Sequence, residues 1–109
     1  MTIRARIEAA LTASGVPFQW LIRPSVQPCA TYEIFDTSRP THAGGTAKHQ
    51  THYIGIDVFS SASYDTELAA VMAAMTAAGF RQYSGPSDDW DYDAKLYRGS
   101  VQYTYTEAI

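Results

Sequence analysis

The stretch His52-Tyr53-Ile54-Gly55-Ile56-Asp57-Val58-Phe59 alternates aliphatic residues with other residue types. Ile54, Ile56 and Val58 recur with a period of two, the spacing of side chains on one face of a β-strand. The pattern therefore predicts a strand whose aliphatic face lies against a core.

A helix is predicted directly after this strand, over residues 65–78. Its apolar positions recur at helical spacing, at Leu68, Val71, Met72 and Met75. Asp65 or Ser63 can cap its start, and Gly79 can supply the left-handed residue that ends it.

The flanking segments supply the remaining elements. Before the central strand, the sequence predicts a helix over residues 2–14, capped by Thr2 and ended by Gly15, and strands at 18–22 and 31–35. After the helix, it predicts a strand at 80–83, a break at Gly85-Pro86-Ser87, and a long strand at 95–106 whose Tyr-containing face is buried or half-buried.

The resulting order is α-β-β-β-α-β-β. Strands that come in runs favour an α+β fold over alternating α/β units. We therefore expect a single domain over residues 1–109, with a mainly antiparallel sheet of four to five strands and two helices packed on one face.

Composition favours a protein that works through its surfaces. Charged residues make up only 17% of the 109 residues, whereas there are 8 Tyr. Such a composition is typical of protein–protein contacts, although aromatic residues also simply favour strands. The net charge is −3 and the basic residues are scattered, which disfavours specific nucleic-acid binding.

The sequence predicts a cytoplasmic location without membrane insertion. The single cysteine, Cys29, excludes an intrachain disulfide and suits a reducing compartment. No apolar run resembles a signal peptide or a membrane helix.

No complete catalytic, cofactor or metal motif is found in the sequence. His42, His49 and His52 lack zinc-ligand partners at a suitable spacing, and we interpret them as solvated. Asp89-x-Asp91-x-Asp93 begins like a calcium loop, but Ala94 and Ser100 occupy the positions that need Gly and Glu. We therefore expect a non-enzymatic protein with no cofactor.

The acidic run predicts a hairpin instead. Trp90 and Tyr92 are expected to face inward, while the carboxylates face water. The candidate partner contacts lie in this hairpin, in a polar loop over residues 38–49 that we expect to be mobile, and on the last strand, which we expect to be an exposed edge. They are Arg39, His42, Lys48, Asp88, Asp89, Asp91, Tyr103 and Tyr105.

The whole pattern resembles the tail-completion, or tail terminator, proteins of long-tailed (siphovirus-type) bacteriophages and prophages. Four features spread over nearly the full chain carry the likeness. They are the opening helix with Gly15-Val16-Pro17-Phe18, the strand Ala30–Phe35, the strand Tyr53–Phe59 with the helix from Asp65, and the ending Ala78-Gly79-Phe80, Asp88-Asp89-Trp90 and Lys95-Leu96-Tyr97.

The resemblance implies a structural role in the virion, at the junction of tail and head. Such proteins form a ring, commonly a hexamer, that caps the tail tube, ends its polymerisation and presents a joining surface to the head connector. DNA passes through the ring, and no cofactor, reaction or membrane is implied. During assembly the protein would be in the host bacterial cytoplasm.

Three alternatives remain open. The chain could be a small monomeric module that binds nucleic acid or a ligand through its aromatic residues. It could be another neck or head-completion protein of similar fold. A small hydrolase or metal enzyme is the third, and stoichiometric zinc in the purified protein would favour it.

Overall fold

The computed structural model describes residues 1–38 and 48–108. Over these ranges the elements follow the predicted order, which confirms an α+β fold. They are α1 (Ile3–Ser14), β1 (Phe18–Trp20), β2 (Cys29–Ser38), β3 (His49–Ser60), α2 (Asp65–Ala77), β4 (Arg81–Asp91) and β5 (Leu96–Ala108).

The strands form one mixed sheet in the order β1-β2-β3-β5-β4. The short strand β1 runs parallel to β2, and all other neighbours are antiparallel. The sheet is therefore mainly antiparallel, as predicted, and its two edges are β1 and β4.

The face of the sheet that carries the core, here called the inner face, is the one predicted from the central strand. Ile54, Ile56 and Val58 are all at most 1% exposed. Tyr32 and Val101 lie beside Ile56 on the neighbouring strands. The helices contribute to the same core cluster, through Ile7, Ala10 and Leu11 of α1 and Leu68, Val71 and Met75 of α2.

The ends of the helices follow local chemistry. Thr2 accepts a hydrogen bond from the Ala5 amide at 3.1 Å, and Gly15 ends α1 with φ 77°. At α2 the Ser63 hydroxyl accepts from the Asp65 amide at 3.3 Å. The residue at the cap position is Tyr64, whose side chain makes no capping hydrogen bond, so neither of the predicted alternatives, Asp65 or Ser63, occupies that position. Gly79 is left-handed with φ 93°, as predicted.

Two strand predictions need correction. The Gly85-Pro86-Ser87 segment does not end β4 but forms an irregularity inside it, where the register with β5 shifts between Ser84 and Ser87. Gly85 allows this because it adopts φ 87°, which other residues rarely do. The last strand is also not an edge, because β5 lies between β3 and β4.

Candidate interaction surfaces

The predicted contact loop falls mostly outside the described residues. Arg39 and His42 lie in the segment 39–47, which the structure does not describe. The expected mobility of the loop also concerns mainly these residues and stays a prediction. Lys48 directly precedes β3 and is exposed. Of these three residues, only Lys48 can be assigned to a surface.

The tyrosines of β5 belong to the interior. Tyr103 is 0% exposed and part of the core, which confirms the prediction that this face of the strand is buried and leaves its side chain no exposed surface for a contact. Tyr105 is half-buried, with its ring 5.0 Å from that of Phe80 and 5.3 Å from the Arg6 guanidinium. The physical reason is the face on which they lie, because both side chains pack into the core cluster that the sheet shares with the helices.

The acidic hairpin end, residues 88–95, brings together the three predicted aspartates. Asp88 accepts a hydrogen bond from the Tyr64 hydroxyl, and Asp89 forms an ion pair with Arg98. The Asp91 carboxylate accepts from the amides of Asp93 and Ala94 at 3.1 and 3.0 Å. Asp89 and Asp91 thus make interactions within the hairpin, and Asp88 connects the hairpin to Tyr64, so replacing these residues changes local bonds as well as any contact.

Local hydrogen bonding makes Asp89 more acidic than an ordinary aspartate. The Trp90 amide donates to its carboxylate at 2.8 Å, and Arg98 lies on its other oxygen. These two interactions, in that order, hold the pKa of Asp89 below its ordinary value. The group therefore remains a carboxylate in any solution near neutral pH.

The aromatic residues of the hairpin divide between two environments. Trp90 is half-buried and its ring lies 4.7 Å from that of Tyr97. Tyr92 lies in the turn and is 83% exposed, so the prediction that it faces inward is wrong. Among the described residues the Asp93 carboxylate has no hydrogen-bond partner, and with Tyr92 it forms the outermost part of the hairpin.

The opposite edge carries an exposed apolar surface that sequence reasoning missed. We call it the β1-edge patch and define it as residues 20–26. Trp20, Leu21, Ile22 and Val26 are 42%, 56%, 67% and 54% exposed. The prediction extended the strand to residue 22, but Leu21 adopts φ 62° and ends it. Pro24 and Pro28 do predict a loop, but of the four apolar residues they bracket only Val26, so they do not mark the end of the strand at Trp20.

Cationic groups border this patch. The Arg4 guanidinium lies 3.9 Å from the centroid of the Trp20 ring, and that of Arg23 lies 5.6 Å from the Phe59 ring. Both arginines are exposed. The β1 edge is thus apolar and positively charged, whereas the β4 edge ends in carboxylates.

The face of the sheet opposite the core, here called the outer face, carries a row of aromatic rings. The ring of Tyr53 lies 6.0 Å from that of Phe35 and 5.3 Å from that of Tyr83. Phe35 and Tyr83 are 44% and 58% exposed. The three residues come from β2, β3 and β4, so only the sheet order brings them together. Large exposed aromatic residues are common where proteins bind each other.

A polar cluster ties three strands together at the end of the sheet that adjoins segment 39–47. His52 is 5% exposed, so the interpretation of this histidine as solvated is wrong. Its Nδ1 lies 2.9 Å from the Thr37 hydroxyl, and its Nε2 lies 2.8 Å from a Glu107 carboxylate oxygen. Thr37 and His52 are direct cross-strand partners, so ordinary sheet pairing accounts for the contact.

This cluster has a hydroxyl, an imidazole and a carboxylate in the order found in catalytic triads. Each group, however, links one strand to the next across β2, β3 and β5. The hydrogen bond from His52, assisted by one from Gln50, holds the pKa of Glu107 below its ordinary value. We therefore interpret the cluster as structural, because its hydrogen bonds connect side chains of β2, β3 and β5.

Two further findings concern the described residues, 1–38 and 48–108. They include no group of three or more His, Cys, Asp or Glu placed to hold a metal ion. None of their helices is long and apolar enough to cross a membrane.

Comparison with known proteins gives a likeness of fold. No family model and no curated protein sequence matches the chain. Among solved structures, it is similar to a chain of the "Virion of native gene transfer agent (GTA) particle". The TM-score is 0.66 at 15% sequence identity, and the match covers 98% of this chain and 95% of that chain. The chain therefore shares its fold, over almost its full length, with a chain of that virion.

Proposed function

We propose that this chain is a structural protein of a phage-like particle that caps the tail tube, ends its polymerisation and forms the joining surface to the head connector. The observation that carries the proposal is the match to a chain of a virion particle over 98% of this chain. The resemblance to tail terminator proteins in the sequence points to the same class of protein.

The proposal includes assembly into a ring, with six copies as the resemblance implies. Both edge strands are accessible, because Gln19 and Trp20 of β1 are exposed and β4 is exposed from Arg81 to Asp89. A ring satisfies such edges without open-ended aggregation. A net charge of −3 would let DNA pass without being gripped through its phosphates.

The proposed role is not enzymatic and needs no cofactor. The partners would be further copies of this chain, the tail-tube protein and the head connector. The proposed location is the virion, at the tail–head junction, with assembly in the host cytoplasm.

Tail length tests the proposal. Tail-tube protein polymerised with its length-determining partners is mixed with or without this chain, and tube lengths are measured by negative-stain electron microscopy. We expect uniform tubes with extra density at one end when the chain is present, and overlong tubes when it is absent. Equal length distributions in the two samples would overturn the proposal.

A second candidate rests on the aromatic row of the outer face. Phe35, Tyr53 and Tyr83 present rings of the kind on which single-stranded nucleic acid stacks. Their neighbours on this face include Glu33 and Asp57, whose carboxylates repel phosphate. Salt-dependent binding of single-stranded DNA, lost on Tyr83→Ala, would favour this candidate over the ring.

The other neck and head-completion proteins are the third candidate, since they would use a similar sheet. Cryo-electron microscopy of complete particles distinguishes them from a terminator by position. Density for this chain directly on the last ring of tube subunits supports the terminator role, and density only on the head side supports the alternative.

A further inference from the structure

Two surfaces of opposite character lie on opposite edges of the sheet, one beside β1 and the other on β4. A single cross-strand row runs from β1 to β4 through directly paired residues, namely Phe18, Ala30, Val58, Gly99 and Asp88. The β1-edge patch begins beside one end of this row. The acidic hairpin end begins at the other.

The chemistry of the two surfaces is complementary. The β1-edge patch offers exposed apolar side chains and the exposed guanidinium of Arg23. The acidic hairpin end offers the exposed ring of Tyr92 and the carboxylate of Asp93. Apolar and aromatic contact surrounded by opposite charges is the usual composition of a specific interface.

From this arrangement we infer that copies of this chain join side by side, with the acidic hairpin end of one copy seated on the β1-edge patch of the next. The inference rests on the proposed function, which supplies the ring, and adds the surfaces that meet. Because the surfaces lie on opposite edges, the contact is heterologous and can repeat from copy to copy. A heterologous contact gives a closed ring when the rotation between successive copies closes, and an open filament when it does not.

A symmetric pairing of two hairpin ends is unfavourable. It would place the carboxylates of Asp91 and Asp93 against their own counterparts, and like charges across an interface repel. A symmetric pairing of two β1-edge patches would bury more apolar surface, although it would bring Arg23 near its own counterpart. It is the competing arrangement that the experiment must separate from ours.

Disulfide cross-linking distinguishes the heterologous contact from the symmetric pairing of two β1-edge patches. Gln19 on β1 and Ser87 on β4 occupy the ends of the next cross-strand row, through Thr31, Asp57 and Ser100, and both are exposed. The Gln19→Cys and Ser87→Cys variants are prepared separately and mixed under mild oxidation at the highest concentration at which the chain stays soluble. Cys29 is 0% exposed, so it does not compete.

We expect a mixed 19–87 cross-link in the mixture, and in the double variant a ladder of products that ends at one discrete size. Arg81→Cys is the matched control, because Arg81 is exposed on the same edge strand but at its far end. Its mixture with Gln19→Cys should give no mixed product. Only 19–19 or 87–87 products, no product, or equal cross-linking at position 81 would overturn the inference.

A charge reversal tests the same contact without cysteines. Arg23→Asp and Asp93→Lys should each weaken association about tenfold, since each places like charges together, and the double variant should recover it. Sedimentation velocity measures association, and circular dichroism checks that each variant is folded. Asp36→Lys, an exposed change on β2 at the far end of the sheet, is the control that should leave association unchanged. Folded single variants that associate like the unaltered chain would contradict the contact.

The results distinguish failure of this inference from failure of the proposed function. A chain that limits tail length but gives no 19–87 cross-link retains its function and loses this interface. A chain that cross-links as expected but leaves tail length unchanged retains the interface and loses the function.

Discussion

Two buried tyrosines on the inner face use their hydroxyl groups differently. Tyr32 is 1% exposed, and its hydroxyl donates to the Glu8 carboxylate while the Arg4 guanidinium lies 3.5 Å away. Tyr103 is 0% exposed, and among the described residues its hydroxyl has no hydrogen-bond partner. Burial raises the pKa of both phenols. The two residues thus form a natural pair for comparison.

We predict that Tyr103→Phe leaves the free energy of unfolding unchanged or raises it by up to about 1 kcal/mol, because it removes a buried polar atom that makes no hydrogen bond. Tyr32→Phe, the matched control, should lower it by about 1 kcal/mol, because it removes a hydrogen bond to a carboxylate. Urea unfolding of both variants measures the difference. A larger loss for Tyr103→Phe than for Tyr32→Phe would show that the Tyr103 hydroxyl has a partner.

At position 99 the core has no room for a side chain, so glycine is required there. A Cβ there would overlap the ring of Tyr64, with Cδ2 2.8 Å and Cζ 3.0 Å away. The Tyr64 ring is 7% exposed and its hydroxyl bonds to Asp88, so it has little freedom to move.

Gly99→Ala should therefore lower the free energy of unfolding by about 1–3 kcal/mol, the usual cost of overpacking a core. Thermal unfolding measures the loss. Gly55→Ala is the control, because its Cβ would meet only ordinary contacts, the nearest being Glu33 Cγ at 3.6 Å. Equal stability of the two variants would contradict this account of Gly99.

At the scale of the elements, the polar cluster of Thr37, His52 and Glu107, which connects β2, β3 and β5, makes a pH-dependent contribution to the free energy of unfolding. The hydrogen bond from His52 depresses the pKa of Glu107 from its ordinary value of 4.5. A carboxyl whose pKa falls on folding adds stability above its unfolded pKa, and that stability disappears as the pH falls through the folded pKa.

The unaltered chain should therefore be more stable than Glu107→Gln at neutral pH, and this difference should shrink as the pH drops below 4.5. Urea unfolding over a pH series measures it. His52→Ala should raise the pKa of Glu107 toward its ordinary value, and NMR titration of the Glu107 carboxyl group measures that pKa. If the unaltered chain and Glu107→Gln differ in stability by the same amount at every pH, the hydrogen bond between His52 and Glu107 is not the source of that difference.

Local patterns predicted the elements better than their arrangement. The periodicity of Ile54, Ile56 and Val58 fixes both the strand and its buried face, and Gly15 and Gly79 mark helix ends because they adopt left-handed backbone. The insertion of β5 between β3 and β4 depends on long-range pairing that no local period records. Tyr103 was therefore predicted to lie on a buried or half-buried face and was also named as a candidate contact, since its residue type suits an interface as well as a core.

For the candidate surfaces too, features close together in the sequence were predictable, whereas features that depend on strand pairing were not. The aspartates at 88, 89 and 91 are close in sequence, so their common hairpin was predictable. Phe35, Tyr53 and Tyr83 come from three strands and meet only after the sheet has formed. The β1-edge patch was missed because a run of strand-forming residues hides the left-handed residue Leu21 that ends the strand.

At the scale of the whole molecule, the domain is elongated along its strands. Its principal extents are 52 × 26 × 20 Å. The 13 residues of β5 alone span about 43 Å at roughly 3.3 Å per residue, so the long axis follows the strands.

If copies join side by side, the ring should be as tall as the molecule is long, 52 Å, and each copy should occupy 20–26 Å of its circumference. Side views of the cross-linked ring by cryo-electron microscopy measure this height. The monomeric Arg23→Asp variant provides the reference dimensions by small-angle X-ray scattering. A ring only 20–26 Å tall would mean that the strands lie across the axis and that other surfaces join the copies.

The sheet order also bears on when the protein can act after translation. β4 is synthesised before β5, yet its only partner in the sheet among the described strands is β5. We therefore expect a nascent chain to lack an ordered β4 edge until residues 96–104, with which β4 pairs, have left the ribosome. Chains without these residues would accordingly lack the hairpin surface with which to recruit a neighbour.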